Sequence, residues 1–336
     1  IRCADRTITV SPSYARQIEY ACDGLESILN SVIGISNAIG TDFRERIGAQ
    51  FAKSGFTESG CGALIERIRS DEALLEKIET RFPEIMRGLP AVLAIPDEAR
   101  RAPVRRMLDK LILQMSRGFT IDPDRILFSM IHRITEQKGF QLLLESSQGL
   151  FLNLGFQAII GGAVASGDRR GEELADGLYR LSRFYPNSVS VSFGYQDISI
   201  PLFSSDIFCM PSMNEPGGIS QLEALACGCL VVARATGGLR DTIFPIRVTG
   251  EKVEGNGFLF SDYSPWAFYD AMERASNFYR QHDDSVKGAA RSNAEKSVYF
   301  WERPARRYIE EIYRIKEIIR DRKSTRLNSS HSSPSR

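Results

Sequence analysis

A doubly wound α/β domain on a parallel sheet, preceded by an amphipathic helical segment, is the fold class that the sequence predicts. Three observations carry this. From Asp122 onward, short apolar runs of strand length alternate with segments of 3.6-residue period. Those runs are apolar nearly throughout rather than at every second position, as in strands covered on both faces. Residues 55–117 have a different character, charged and helix-rich.

The elements follow in order. CADRTITVSPSYARQI (3–18) offers a strand-like TITV and then a Ser-Pro helix start. With no initiator Met and no signal peptide, the chain is expected to be truncated at its N-terminus. In the helical segment, Leu64, Ile68, Leu74, Leu75 and Ile78 fall at helical spacings, as do Val104, Leu108, Leu111 and Met115. The Pro- and Arg-rich LPAVLAIPDEARRAP between them reads as a solvated face rather than a binding patch. The expected strands are ILFSMIHR, QAIIGGAVA, SVSVSFGY, DIFCMPS, LVVARAT and GFLF. The expected helices between them include GFQLLLESSQGLF, EELADGLYRLSRFY, ISQLEALACG and SPWAFYDAMERASNFYR. From Ser324 six of thirteen residues are Ser with no apolar period, so a disordered tail is expected, similar to a sequencing-adaptor scar.

Composition bounds the function classes. At roughly 150 residues per domain, 336 residues imply about two domains. Hydrophobic residues are 43% and charged residues 25%, ordinary for a globular chain, and no apolar run is long enough to span a bilayer. Lys and Arg number 43 against 42 Asp and Glu, so no global field draws in nucleic acid or an anionic membrane. Any anion site must be local. The six cysteines form no CxxC pair, which points away from a disulfide scaffold or zinc site and toward a reducing compartment.

Doubly wound sheets bind ligands at the carboxyl ends of their strands, so function belongs to the loops there. After ILFSMI, the turn His132 to Gly139 presents Arg133 and Lys138, a planar fork and a point charge suited to a diphosphate. After DIFCMPS comes Asn214-Glu215-Pro216-Gly217-Gly218-Ile219-Ser220, running into a helix. Its glycines allow close backbone approach, and the free N–H groups at a helix start form an anion seat. Glu215 stands just before that seat. Glu223 lies eight positions later and faces the same crevice if the helix begins near Gly218. The loop Ala235-Thr236-Gly237-Gly238 could add amides, and Gly161-Gly162 is a fourth approach point.

RITEQKG (133–139), FGYQ (193–196), NEPGGISQLEALACG (214–228), ATGGLRDTI (235–243), GNGFLF (255–260) and FWERPARRYIEEIY (300–313) form an ordered set. That set resembles bacterial glycogen synthase and plant starch synthase, retaining glucosyltransferases of the two-Rossmann, or GT-B, fold. ADRTITVSPSYARQI (4–18) and GISNAIGTDF (34–43) extend the resemblance upstream. It implies that residues 1–54 end the first domain and supply the interdomain linker, that 55–117 are a helical segment, and that 118–322 form the C-terminal Rossmann-like nucleotide-sugar domain, with 323–336 as the tail.

By this resemblance Arg133 and Lys138 hold the donor diphosphate and Glu215 lies beside the transferred glucose. The amides of Gly217, Gly218, Ile219 and Ser220 bind the distal phosphate. Tyr195 packs on the base, Glu223 lies near the ribose and Asn37 near the donor sugar. EPGGIS stands where the family often has Glu-Pro-Cys-Gly-Leu-Thr, and Ala38 and Gly40 replace a family Gly and Asp. The implied donor is ADP-glucose or UDP-glucose, the acceptor an α-glucan, and no other cofactor is implied. His132, His282 and His331 form no metal-ligand cluster in the sequence. Cytoplasm and plastid stroma both fit. Rival readings are another GT-B transferase of sucrose, trehalose or lipid-directed type, and a non-catalytic sugar-nucleotide-binding remnant.

Overall fold

The computed structural model describes residues 7–21, 32–195 and 197–330. Strands β1 (Thr7–Thr9) and β2 (Val32–Gly34) pair in parallel, with helix α1 (Pro12–Ala21) between them. Helices α2 (Phe43–Lys53), α3 (Phe56–Arg69), α4 (Glu72–Arg81), α5 (Leu89–Leu93) and α6 (Glu98–Ser116) follow. The Asp71 side chain accepts the Leu74 N–H and Asp97 accepts that of Ala99, so acidic caps start α4 and α6. Leu64, Ile68, Ile78, Leu108 and Leu111 are fully buried in a core belonging to this segment.

The sheet domain begins with β3 (Leu127–Ile131), α7 (Phe140–Gln148), β4 (Gln157–Gly162), α8 (Arg169–Phe184) and β5 (Val189–Phe193). It continues with α9 (Ser199–Ser204), β6 (Ile207–Met210), α10 (Ser220–Ala226), β7 (Leu230–Arg234), α11 (Gly237–Thr242), β8 (Arg247–Thr249), β9 (Lys252–Glu254) and β10 (Gly257–Phe260). Helices α12 (Pro265–Gln281), α13 (Asp284–Ser297) and α14 (Glu302–Ser330) complete it. Every run expected to be a strand is one. Six strands form one parallel sheet in the order β5-β4-β3-β6-β7-β10. The chain leaves β3 toward one edge and returns at β6 to build the other, so the order reverses between β3 and β6. Carboxyl ends of neighbouring strands diverge at such a switch point and open a crevice.

Two details depart from the sequence expectation, and one lies beyond it. Helix α14 runs to Ser330, seven residues into the segment expected to be unstructured, because the backbone hydrogen bonding begun upstream propagates at little further cost. Residues 331–336 lie outside the described residues. Helix α10 starts at Ser220 rather than near Gly218, whose φ of +61° is outside the helical range. Within PVRRM, Arg106 is an anchor: its guanidinium donates to the carbonyls of Cys227 and Ser205 and holds α6 against the sheet domain. Arg100 and Arg101 do form the expected solvated face, paired with Glu84 and Glu98. No helix among the described residues is long and apolar enough to cross a membrane.

Candidate active site

The loops after β3 and β6 meet at the switch point because their strands are neighbours. A 3-10 turn, Glu136–Lys138, ends the first at Gly139, whose φ is +79°. A methyl group there would overlap the Pro211 carbonyl, so the two loops touch only because residue 139 has no side chain. The Met213 N–H donates to the Gln137 carbonyl at 2.8 Å, and Gln137 Nε2 donates to the Asn214 carbonyl at 2.7 Å. This fastening aligns the chemistry-bearing side chains. Lys138 Nζ lies 2.5 Å from Glu215 Oε2, and Ser212 Oγ donates to the same oxygen at 3.2 Å. Glu215 is 7% exposed, so its carboxylate is desolvated and aimed by two donors.

Arg133 is exposed at the start of the same loop and has no ion-pair partner among the described residues. The first four N–H groups of a helix find no acceptor inside it, which leaves the approach to α10 rich in donors. Gly217 is buried, Gly218 and Ser220 are partly exposed and Ile219 is exposed, so the Pro-Gly-Gly segment reaches the surface.

Ser11 and Asn37 close over this loop. Ser11 Oγ donates to the Pro216 carbonyl at 2.5 Å, and a methyl on Gly217 would come within 2.5 Å of Asn37 Nδ2. Asn37 therefore sits against the Glu215 loop. The Ser13 N–H and hydroxyl donate to the Asp241 carboxylate at 2.8 and 2.6 Å, joining α1 to α11.

The remaining candidates are placed differently. Thr236 and Gly237 are buried behind the Pro-Gly-Gly segment, and the next amide, Gly238 N–H, donates to the Glu215 carbonyl at 3.0 Å. This loop braces Glu215 from behind, because its glycines admit the Glu215 and Gly217 carbonyls at close range. Glu223 has no contact with Glu215: burial raises its pKa, and the opposing charge is that of Arg46 on α2. Tyr195 is 94% exposed and follows the edge strand β5, two strands or about 10 Å from β3. Gly161 and Gly162 end β4, and the open φ of Gly162 lets the His132 main chain pass close by. Gln196 lies outside the described residues.

Arg234 and His132 are functional supports that sequence reasoning passed over. Arg234 ends β7 and donates to the carbonyls of Met213 at 2.5 Å and Ser261 at 2.9 Å, with its guanidinium 5.7 Å from the Tyr263 ring. A charge closing a wholly apolar strand at its carboxyl end was the available signal. His132 Nε2 lies 2.8 Å from the Cys209 carbonyl. Burial pushes the imidazole down to about 4 against that hydrogen bond, so the ring is neutral at pH 7 and donates.

Comparison with known proteins bears on the family and the fold. Residues 114–292, just over half the chain, match the family described as Glycosyl transferases group 1. A glycogen synthase of Exiguobacterium sibiricum is 32% identical over 322 residues, covering 93% of this chain and 55% of that protein. A glycogen synthase of Desulfitobacterium hafniense is 30% identical over 311 residues, covering 91% and 53%. The chain thus spans about half the length of these relatives. The catalytic domain of starch synthase IV from Arabidopsis thaliana, solved with ADP and acarbose, shares the fold at a TM-score of 0.64 and 24% identity, covering 93% of this chain and 56% of that one.

Proposed function

Because the chain belongs to the Glycosyl transferases group 1 family, we propose that it holds the diphosphate of a nucleoside diphosphate glucose in the β3–β6 crevice for retaining transfer to an α-1,4-glucan, as a glycogen or starch synthase does. One observation carries the reading: Lys138 and Glu215, from separate strand-end loops, meet at the point where the strand order reverses. As the glucosyl C1–O bond breaks, negative charge develops on the departing diphosphate. Arg133, Lys138 and the amides before α10 are set to receive it, oriented before reaction. Glu215 orients the sugar and offsets positive character at C1. In same-face attack, the acceptor 4-hydroxyl bonds to C1 and its proton passes to the leaving phosphate oxygen, which keeps the electron pair of the broken bond.

ADP-glucose is the favoured donor, supported by the similarity to bacterial glycogen synthases. Calorimetric titration of ADP-glucose and UDP-glucose into the chain tests this. Binding of either that is weakened by Arg133→Ala and by Lys138→Ala supports the crevice, and tighter binding of the adenine compound supports the donor choice. Equal binding by both variants and the parent chain would refute the assignment.

A further inference from the structure

A cavity of about 420 Å³ opens at the amino ends of the strands, one strand length or about 16 Å from the β3–β6 crevice. Asp206, the residue before β6, is at its centre. The Asp206 N–H donates to the Leu127 carbonyl at 2.8 Å, and its Oδ2 accepts the Leu127 N–H at 3.0 Å. The same carboxylate receives Lys110 Nζ at 2.7 Å and Arg291 Nη2 at 2.9 Å. The Lys110 and Asp206 side chains are each 5% exposed. Arg106, one helical turn before Lys110, also lines the cavity but donates to the carbonyls of Cys227, Leu202 and Ser205 and to Cys229 Sγ rather than to a carboxylate. Lys110 and Arg291 thus share one carboxylate, beside the buried guanidinium of Arg106.

Burying charge without full compensation is costly, and two signs of the deficit remain. The Nε atoms of Arg106 and Arg291 are buried with no hydrogen-bond partner. Burial, the largest influence on Lys110, lowers its pKa despite Asp206. At the rim the acids are already engaged: Asp124 with Lys77 and Arg81, Asp284 with Arg81 and Lys287, and Asp283 as the cap of α13. Six Arg and Lys line the cavity against four Asp, so negative charge is still short there.

We propose that this cavity is a second anion site, taking a phosphate group whose oxyanion balances Arg106, Lys110 and Arg291. Its volume admits free phosphate or the phosphate ester of a small metabolite. Because its walls come from α6, α12, α13 and the starts of β3 and β6, an occupant ties the helical segment to the sheet domain. The proposal does not depend on the donor reading.

Calorimetric titration of the full chain with inorganic phosphate and, separately, ribose 5-phosphate tests it, at constant ionic strength set with chloride. Both probes are expected to bind the parent chain and the Arg133→Ala/Lys138→Ala variant equally. Binding is expected to weaken about tenfold in Lys287→Ala, at the rim, and in Lys110→Met, at the centre. Tighter binding of the ester would assign a phosphorylated metabolite, and equal binding the free anion. Loss of binding in the crevice variant, unchanged binding in both cavity variants, or no binding of either probe at millimolar concentration would each overturn the proposal. Circular dichroism of Lys110→Met confirms that the variant compared is folded.

Discussion

Lys138 Nζ and Glu215 Oε2 stand 2.5 Å apart across the only reversal of strand order in the six-stranded sheet, so one ion pair fastens its two halves at the crevice. The pair is mostly buried, with side-chain exposures of 14% and 9%. Lys138→Ala strands a desolvated carboxylate that keeps only the Ser212 hydroxyl, and is expected to lower unfolding free energy by about 3 kcal/mol. Lys138→Met/Glu215→Gln, which buries no charge, is expected to regain most of that loss. Urea denaturation of the three proteins reads both numbers, and a double variant no more stable than Lys138→Ala would show that the pair is not what holds the loops.

Gly139 and Gly155 separate steric need from backbone freedom. Both have left-handed φ values, +79° and +68°. A methyl on Gly155 meets nothing within 4 Å, whereas one on Gly139 overlaps the Pro211 carbonyl. Gly155→Ala is expected to cost only the conformational penalty, about 1 kcal/mol. Gly139→Ala must also push the two loops apart and is expected to cost about 3 kcal/mol and to weaken ADP binding about tenfold. Equal losses in thermal unfolding would show that the loops part without cost.

The sheet was legible because strands buried on both faces must be apolar throughout, and LVVAR and IFCM admit no other reading at that length. The β8–β9 hairpin was not, since RVT and KVE are three residues each with mostly exposed side chains. Nor was α13, whose Ala- and Ser-rich sequence buries only Ala290 and Ala294. At the site, Lys138 and Glu215 were legible one at a time as chemistry in strand-end loops. Their pairing was not, because 77 residues separate them and only the sheet order brings them together. The bracing role of Gly238 and the charge of Arg46 opposite Glu223 likewise depend on packing between elements distant in sequence.

Arg234 joins three of those loops through one planar group. Its Nη1 holds the Met213 carbonyl, two residues before Glu215, and its Nε holds Ser261, while Tyr263 beneath it reaches the Glu136 carbonyl at 3.4 Å. Arg234→Lys keeps the charge but cannot span both carbonyls from one ammonium. It is therefore expected to weaken ADP binding about as much as Arg234→Met does, roughly tenfold, with secondary structure unchanged. Full affinity in the lysine variant would reduce the role of Arg234 to its charge.

His132 gives the fold an acid-sensitive point beneath the Lys138 loop. Its folded pKa, about 4, lies below the ordinary value of 6.5, so in mild acid the unfolded chain binds the proton more readily. The stability it supports is complete above about pH 6.5, declines as pH falls, and is gone below about 4. The span corresponds to on the order of 3 kcal/mol. Asp109 acts oppositely: burial raises it to about 6, so between about pH 6 and its ordinary value of 3.8 falling pH favours the folded state. The two slopes overlap, and the parent chain alone does not resolve them. His132→Gln keeps an N–H donor for the Cys209 carbonyl and removes the titrating ring. Urea unfolding free energies at pH 7.0 and 4.5 are expected to fall more steeply for the parent chain than for His132→Gln. Parallel pH profiles for the two proteins would mean that the buried imidazole titrates in the folded chain as it does in water.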